Sequence, residues 1–266
     1  MFLADIIKLP TSNIQLTSVE LLFIESEAIG LDPQWVADKV LFSVTLNNVT
    51  HYIGNSKSNA NSQKSSSMVQ NKYFSRLILQ DKGLPNIPFL QTSHLDEASS
   101  FLNKHQTIIA KPLLGWGSKD IHIISDSKDL ANLDLDKYLF EKYILGREMR
   151  YLILNGKVIA VHQSDYGLSV DADRYLERIS YPIELWNEEL VDKALEISEI
   201  FNLQFSAVDF LIDEDENWHI LEVNTTPGLK WFHSPTSGPI VNVAKKLMNA
   251  LIEDEGLAAP IIANSI

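Results

Sequence analysis

The chain has 266 residues, of which 45% are hydrophobic and 21% charged, a balance that excludes collagen-like and intrinsically disordered chains. Lys and Arg number 22 against 35 Asp and Glu, so the formal charge of −13 argues against a nucleic-acid surface or a polybasic membrane anchor. Without cysteine there is no thiolate zinc site and no cysteine nucleophile. No apolar run of 18 residues and no signal-peptide pattern occur, so we expect a cytoplasmic protein without a membrane span.

A polar, low-complexity stretch at 54–67 divides the sequence, and we expect it to separate a small N-terminal unit, residues 1–68, from the rest. The stretch itself is expected neither to bury apolar area nor to sustain a periodic face. Within the N-terminal unit, Thr17–Glu20 has the form of a capping box and predicts a helix that ends at Gly30. Asn47-Asn48 lies between two β-like runs and predicts a hairpin, because asparagine tolerates positive φ.

Helices and strands are intermixed after this stretch. The apolar spacing predicts helices over Asn71–Lys82, Asp96–Lys104, about 188–201 and about 239–253. Strands are predicted at Thr107–Lys111, Ile121–Ile124, Tyr138–Ile144, Met149–Leu154, Val158–His162, 205–213 and 218–224. Such mixing is typical of an α+β or α/β protein. We divide the remainder into units 69–145 and 146–256, followed by a tail at 257–266.

The last strand pair carries the clearest chemical signal. A polar turn at 214–217 can close a hairpin, and counting from it opposes Asp209 to Glu222 and brings Asn224 to the same end of the same face. Two opposed carboxylates repel each other unless a cation lies between them, and oxygen ligands suit Mg²⁺ or Mn²⁺ rather than zinc. The alternative is a solvated hairpin whose acids keep the sheet soluble. The rigid turn at 225–228, directly after Asn224, favours the ligand interpretation.

The same register makes a prediction for the other face of the hairpin. It pairs Asp213 with Trp218 and Leu211 with Ile220. The opposite face then carries six side chains, nearly all of them apolar: Val208, Phe210, Ile212, His219, Leu221 and Val223. We therefore expect this face to join the core, with His219 as a buried residue rather than a ligand.

Two other segments combine a strand with a glycine. Lys111 ends a strand and precedes a loop containing Gly115, in which backbone N–H groups and an ammonium can cradle phosphate oxygens. The loop is not a Walker A motif, and alone it is more often an ordinary turn. The segment Glu141–Arg150 passes from a strand through a glycine hinge into a second strand. It can offer backbone groups to an adenine edge and a carboxylate to ribose, or be an ordinary β-hinge with an exposed ion pair.

The order of these pieces resembles that of the ATP-grasp superfamily. The chain looks closest to its carboxylate-amine ligase branch, which includes RimK-type glutamate ligases, cyanophycin synthetase, glutathione synthetases and D-alanine:D-alanine ligase. The resemblance runs from about Asn71 to Leu251, and its most specific parts are Glu141–Arg150 and Asp209–Gly228. It implies an ATP-grasp fold, in which two α+β subdomains clasp ATP, preceded by the short N-terminal unit.

The resemblance also implies roles for individual positions. It assigns to ATP the residues Lys72, Lys111, Gly115, Gly117, Ser118, Glu141, Lys142, Tyr143, Ile144, Glu148 and Leu221. It assigns to two Mg²⁺ ions, with Mn²⁺ as an alternative, the residues Asp209, Glu222 and Asn224. It assigns to catalysis Lys111, Arg150 and Arg178. Arg174 and Arg178 could hold an acyl phosphate, and a surface salt bridge is an equal alternative for both.

The activity implied by the resemblance is ATP-dependent amide-bond formation through an acyl phosphate. Its partners would be a small-molecule or peptide carboxylate and an amine acceptor, without nucleic acid or membrane, and a homodimer stays open. Two features depart from the family pattern: the segment before Asn71 is short, and SDYGLSVDADRYLERISYP matches no peptide-ligase loop. The alternatives are a catalytically silent nucleotide-binding domain and an ATP-dependent phosphotransferase on the same fold.

Overall fold

The computed structural model describes residues 16–54, 61–115, 119–164 and 177–254. The helices in these ranges are α1 (Ser18–Ala28), α2 (Gln63–Gln70), α3 (Lys72–Asp81), α4 (Leu95–His105), α5 (Ser127–Leu130), α6 (Glu188–Ile200), α7 (Lys230–His233) and α8 (Val243–Asp254). The strands are β1 (Gln34–Ala37), β2 (Leu41–Leu46), β3 (Val49–Gly54), β4 (Phe89–Leu90), β5 (Ile108–Pro112), β6 (His122–Ile124), β7 (Tyr138–Lys142), β8 (Gly146–Leu154), β9 (Lys157–Ser164), β10 (Arg178–Tyr181), β11 (Phe205–Asp213) and β12 (Trp218–Asn224). None of the described helices is long and apolar enough to cross a bilayer.

The N-terminal elements form as the local sequence predicts. Thr17 and Glu20 make a reciprocal capping box at the start of α1. Strands β2 and β3 pair as a hairpin, and its two turn residues, Asn47 and Asn48, have φ values of 49° and 63°. Strand β1, which the sequence analysis did not predict, adds a third strand beside β2.

The prediction for the polar stretch at 54–67 is wrong in its second half. Residues from Gln63 onward belong to α2, which begins at the N-cap Ser62 and buries Ser65 and Val69. Asn61 holds the start of this helix in place, because its side-chain oxygen accepts hydrogen bonds from the backbone N–H groups of residues 204 (2.9 Å) and 205 (3.1 Å). A polar sequence forms this helix since its cap and tertiary contacts supply what its composition lacks.

A small antiparallel sheet has the strand order β4-β7-β5-β6. Helices α4 and α5 cover one of its faces, and the core between them includes Leu102, Ile108, Ala110 and Phe140. Strand β7 leads through residues 143–145 directly into β8 of the neighbouring sheet. This connection is the glycine hinge that the sequence predicts.

A larger antiparallel sheet has the order β10-β9-β8-β11-β12. Helix α6 packs on one face over a core that includes Tyr151, Val161 and Phe210. One end of the other face, around Leu152 and Phe205, shares a core with α1, α8 and the three-stranded sheet. The rest of that face is polar, and it points toward the small sheet.

The hairpin of β11 and β12 departs from the predicted register at one point. Asp209 pairs with Glu222 as predicted, but a bulge follows, so Leu211 pairs with His219 instead of Ile220. The bulge exchanges the faces of the residues between it and the turn. Ile220 therefore joins the core, whereas His219 faces the other side, and its imidazole contacts Asp213 at 3.0 Å. The predictions that His219 and Leu221 lie on the core face are both wrong.

The helix predicted at 239–253 begins later, at Val243, and is preceded by the short α7. The predicted boundaries at residues 68, 145 and 256 stay predictions, and the tail at 257–266 lies outside the described residues. The N-terminal elements and α8 bury one common core, so packing joins the first unit to the last one.

Candidate functional site

A cleft with about 870 Å³ of empty space, open solvent at its mouth included, lies between the small sheet and the polar face of the large sheet. Ten predicted site residues line it: Lys111, Glu141, Lys142, Tyr143, Ile144, Glu148, Arg150, Asp209, Leu221 and Glu222. Six further residues complete the lining: Ile87, Ile109, Ile121, Leu145, Gly146 and Leu211. A concave site that combines apolar walls with a few convergent charges is typical of small-molecule binding.

One end of the cleft is formed by the hinge at 142–146 and by isoleucine and leucine side chains. The hinge is held to the small sheet, because the backbone N–H of Lys142 donates to Pro88 (2.9 Å) and that of Tyr143 donates to Thr107 (3.1 Å). The bulge at Leu221 turns this side chain into the cleft. The result is a largely apolar slot at the hinge, which suits an aromatic group.

A buried ion network forms the floor beside this slot. Lys111 lies 2.7 Å from one oxygen of Glu141, and Arg76 donates to the other oxygen at 2.6 Å. Arg76 also donates to the carbonyls of Ile220 (2.6 Å) and Leu221 (2.9 Å) on β12. Arg76 therefore links α3 to the hinge strand and to the bulge, and its positive charge also compensates Glu141.

Glu141 stays ionised in this network. Complete burial by itself would raise the pKa of its carboxyl, but the positive charges of Arg76 and Lys111 outweigh burial and lower the pKa to about 2. The carboxylate in turn holds the Lys111 ammonium at the edge of the cleft, with the side chain 11% exposed. The Lys111 ammonium therefore places a positive charge on the wall of the cleft that the small sheet forms.

The central strands contribute a second buried pair. Arg150 donates to both oxygens of Asp209 at 2.6 Å, and Glu148 lies 3.6 Å from the Arg150 guanidinium. Burial, followed by the negative charge of Asp209, raises the pKa of Glu148 to about 7. Burial also raises the pKa of Asp209, and the charge of Glu222 adds to this effect. This part of the cleft therefore holds more negative charge than Arg150 alone compensates.

Lys72 reaches Glu222 from a second cavity, which adjoins the cleft and shares Lys111 and Glu222 with it. It is the first residue of α3, and its ammonium donates to the carbonyl of Gly115 (3.0 Å) and to Glu222 (3.4 Å). Asn224 pairs with Ala207 on the face that carries Asp209 and Glu222, and its side-chain oxygen accepts from the backbone N–H of Thr226 at 2.8 Å. The structure thus brings Lys111, Asp209 and Glu222 into the cleft and places Lys72 in the cavity beside it, whereas Asn224 shares their face of the hairpin without lining the cleft.

These residues fit a divalent cation that is also bound by phosphate. The donors are two carboxylates and an amide oxygen, and burial, together with the neighbouring carboxylates, raises the pKa values of Glu148 and Asp209, an effect that a bound cation would oppose. The described residues contain no cluster of three or more Asp, Glu or His side chains able to hold a metal ion alone. Mg²⁺ commonly binds through one or two carboxylates plus substrate phosphates and does not require such a cage.

Arg178 and Asn224 are predicted residues that are described but do not line the cleft. Arg178 lies on β10, at the edge of the large sheet, where it is 6% exposed, so its side chain is buried rather than at the surface. Gly117 and Ser118, like Arg174, lie outside the described residues. Sequence reasoning missed Arg76 altogether, and only an arginine among the apolar residues of a predicted helix could have drawn attention to it.

Comparisons with known proteins agree with this geometry. The RimK-like ATP-grasp domain family matches residues 70–251. A D-alanine--D-alanine ligase of Clostridium botulinum is 26% identical over 213 residues, which are 73% of this chain and 70% of the ligase. The bifunctional glutathione synthetase of Pasteurella multocida matches with a TM-score of 0.64 at 15% identity, and the match covers 89% of this chain and 44% of the synthetase. The ATP-grasp ligase PsnB, solved with a minimal precursor, matches with a TM-score of 0.60 at 22% identity, and the match covers 73% of this chain and 63% of PsnB.

The two solved structures share the fold, and this chain spans less than two thirds of each. The family match covers most of the chain, including the cleft and both of its walls. At the level of the family, the predictions of an ATP-grasp fold and of an ATP-dependent ligase that forms C–N bonds are confirmed. The chain belongs to the RimK-like ATP-grasp family.

Proposed function

We propose that this protein is an ATP-dependent carboxylate-amine ligase that forms an amide or peptide bond through an acyl phosphate. One observation carries the proposal: the cleft joins an apolar slot at the hinge to Lys111, Asp209 and Glu222, and an adjoining cavity that shares Lys111 and Glu222 brings in Lys72, 3.4 Å from Glu222. The slot suits adenine, the buried Glu148 suits ribose hydroxyls, and the charged end suits a triphosphate with its metal. The sites for the substrate carboxylate and the amine would then lie next to the charged end of the cleft.

The metal assignment rests on the chemistry of the donors. Asp209, Glu222 and Asn224 would hold Mg²⁺, with two ions as the proposed number and Mn²⁺ as an alternative for the same oxygens. Bound there, the metal would neutralise charge on the β- and γ-phosphates. Lys72 and Lys111 supply fixed positive charge from the opposite wall. Glu141 and Arg76 keep the Lys111 ammonium oriented while nucleotide enters and leaves.

The proposed chemistry needs positioning rather than a side-chain nucleophile. A substrate carboxylate oxygen attacks the γ-phosphorus, the bond to the β-phosphate oxygen breaks, and ADP leaves. The amine nitrogen then attacks the acyl carbon, phosphate leaves, and the amine loses a proton. The lysines compensate the charge that moves onto ADP, and Arg178 is the proposed cation for the acyl phosphate.

The nature of the substrates is proposed from relatives only at a coarse level. The Clostridium relative is a D-alanine--D-alanine ligase, and PsnB was solved with a precursor, so amino acids and peptides are both within reach. A homodimer and a cytoplasmic location belong to the same proposal. The test must therefore avoid assuming one substrate pair.

Hydroxylamine provides such a test, because it replaces the amine and converts any acyl phosphate into a hydroxamate. We expect ADP and hydroxamate to form together with at least one carboxylate among acetate, succinate, L-glutamate and D-alanine. A phosphotransferase would form a stable phosphorylated product without hydroxamate. A silent domain would bind ATP and release no ADP.

Glu222→Gln is the sharpest variant for this test. Its side chain is 41% exposed and makes one long contact, with Lys72, so the change should leave the melting temperature nearly unchanged. We expect ADP formation to fall by about 100-fold, the loss of a single transition-state charge contact. Glu216→Gln, on the turn of the same hairpin, is the matched control and should stay within twofold of wild type. Wild-type turnover by Glu222→Gln would refute the metal assignment.

A further inference from the structure

A cluster of polar side chains on the small sheet holds the chain just before β6. One carboxylate oxygen of Asp120 accepts a hydrogen bond from the Tyr138 hydroxyl at 2.6 Å, and the other oxygen lies 2.8 Å from Nε2 of His122. The rings of His122 and Tyr138 meet edge-on, with their centroids 5.6 Å apart. Tyr138 is 7% exposed and belongs to the core under α4 and α5, whereas Asp120 is exposed. A surface carboxylate is thus tied to a buried side chain.

The backbone conformation of Asp120 explains why this tie matters. Its φ is 57°, in the left-handed region, where a Cβ atom crowds the backbone and which glycine adopts without this cost. Aspartate and asparagine enter the region more readily than other residues, because their short polar side chains can form hydrogen bonds nearby. The contacts of Asp120 with Tyr138 and His122 are of this kind. They stabilise a conformation that the backbone alone disfavours.

Ionisation strengthens the contact between Asp120 and Tyr138. Hydrogen bonds from Tyr138 and then from His122 lower the pKa of Asp120, so its carboxylate is charged at neutral pH. Burial, followed by the hydrogen bond to Asp120, raises the pKa of Tyr138 to about 12, so the hydroxyl keeps its proton and stays a donor. A hydrogen bond to an ionised acceptor is shorter and stronger than one between neutral groups. The tie is therefore present throughout the neutral range of pH.

The conformation of Asp120 determines where the next side chain points. His122 pairs with Ala110 of β5 and shares its helix-covered face of the small sheet, so the preceding residue, Ile121, is directed to the other face, which forms the cleft. Ile121 does line the cleft, together with the apolar residues of the slot at the hinge. Within the described residues, the ladder between β5 and β6 begins only at His122. The position of Ile121 therefore depends on Asp120.

Tyr138 also connects Asp120 to the strand that carries Lys111. It pairs with Pro112 at the end of β5, directly after Lys111. One tyrosine thus contacts the chain where it leaves the sheet, at Pro112, and where it returns, at Asp120. Ile121 and Lys111 are thereby held on the same wall of the cleft.

We propose that Asp120 and Tyr138 are positioning residues for the nucleotide, because they hold Ile121 in the apolar slot. The inference rests on the proposed function, in which this slot takes adenine. Neither Asp120 nor Tyr138 lines the cleft itself, so both act through Ile121. Without the hydrogen bond, the chain at Asp120 would spend part of its time in other conformations. The affinity for nucleotide would then fall in proportion to the fraction of molecules that keeps the competent conformation.

Tyr138→Phe provides the test, because it removes only the hydroxyl and keeps the ring in the core. We expect the Kd for MgADP to rise about fivefold, which corresponds to a competent fraction of about one fifth. In the hydroxamate assay, the KM for ATP should rise equally, with kcat within about twofold of wild type. Asp120→Ala, which loses the hydrogen bond and disfavours positive φ, should raise the Kd at least as much. Asp120→Asn should stay within about twofold, since its amide oxygen can accept the bond and asparagine tolerates this conformation.

Tyr181→Phe is the matched control. It also removes a tyrosine hydroxyl that donates to a side chain, that of Gln163 at 2.9 Å. Tyr181, however, packs against the core under α6, on the face of the large sheet opposite to the cleft. The control should leave the Kd for MgADP within about twofold of wild type. A rise equal to that of Tyr138→Phe would show a general loss of order rather than positioning, and it would overturn the inference.

A double-mutant cycle tests the route through Ile121. In an Ile121→Ala background, Tyr138→Phe should change the Kd for MgADP by less than about twofold, because the side chain to be positioned is absent. Additive effects would mean that Tyr138 acts by another route, and they would overturn the inference. Unchanged affinity in Tyr138→Phe and Asp120→Ala, with normal binding by the wild type, would overturn it as well. A wild-type protein that binds no MgADP would instead contradict the proposed function, and the inference with it.

Discussion

Replacing Arg76 by methionine should destabilise the protein severely, because this side chain is the centre of a buried polar network. It is 4% exposed and donates to Glu141, Asn86 and the carbonyls of Ile220 and Leu221. Breaking a buried ion pair costs about 3–5 kcal/mol. Since Lys111 still compensates Glu141, we take about 3 kcal/mol for the pair and add about 1 kcal/mol for the unpaired carbonyls. The expected loss is thus about 4 kcal/mol.

Urea unfolding measures this loss directly. With a slope of about 3 kcal/mol per molar urea, the midpoint should fall by roughly 1.3 M. Arg147→Met is the matched control, because Arg147 also binds a glutamate through two nitrogens but is 38% exposed, against 68% for its partner Glu216. Its cost should be no more than about 1 kcal/mol. If the two variants lost similar stability, the link that Arg76 makes between α3, the hinge and β12 would have no energetic importance.

Two further predictions concern the hinge. A Cβ added at Gly146 would lie 2.9 Å from the carbonyl carbon of Ile212, so Gly146→Ala should cost about 1–3 kcal/mol of stability and raise the KM for ATP. Gly228→Ala is the control, because a Cβ there meets nothing within 4 Å, and it should change stability by less than about 0.5 kcal/mol. Equal effects of the two variants on urea denaturation and on the KM for ATP would contradict the steric argument. The pKa of Glu141 is depressed from 4.5 to about 2, so the stability it contributes is present above pH 4.5 and is lost as the pH falls toward 2. Between pH 6 and pH 3 the stability difference between wild type and Glu141→Gln should therefore shrink by about 2 kcal/mol in urea titrations, and a constant difference would show that Glu141 is not ionised by its neighbours.

The sequence predicted those parts of the fold that local chemistry determines. The capping box at Thr17–Glu20 begins α1, and the Asn47-Asn48 turn closes a hairpin with positive φ. The pairing of Asp209 with Glu222 was counted from a polar turn, and it holds because a one-residue shift at the turn, where Ile212 rather than Asp213 pairs with Trp218, is reversed by the bulge. Each of these inferences used residues that are neighbours in sequence or in one hairpin.

The parts that could not be predicted depend on distant partners. Arg76 gains its role from Glu141 and from carbonyls about 145 residues away, and nothing in the sequence around it indicates those partners. Ser65 lies in a stretch whose composition disfavours structure, yet the cap at Ser62 and the anchoring of Asn61 to β11 start a helix there. Composition reflects the average tendency of a segment to form structure, whereas a single tertiary contact can determine whether a short segment becomes helical.

The bulge in β12 explains why the pairing of Asp209 with Glu222 was predicted correctly while the core face of β12 was not. Counting from the turn opposed Asp209 to Glu222, but it also assumed one uninterrupted ladder and therefore placed Leu221 in the core. In the structure the bulge lies between the Asp209–Glu222 pair and the turn. Leu221 therefore lines the cleft and its carbonyl accepts a hydrogen bond from Arg76, whereas Ile220 takes the core position. An uninterrupted strand would offer only one of the two neighbouring positions to the cleft. The bulge lets consecutive residues serve the nucleotide slot and the metal end together, and Arg76 is the side chain that holds it.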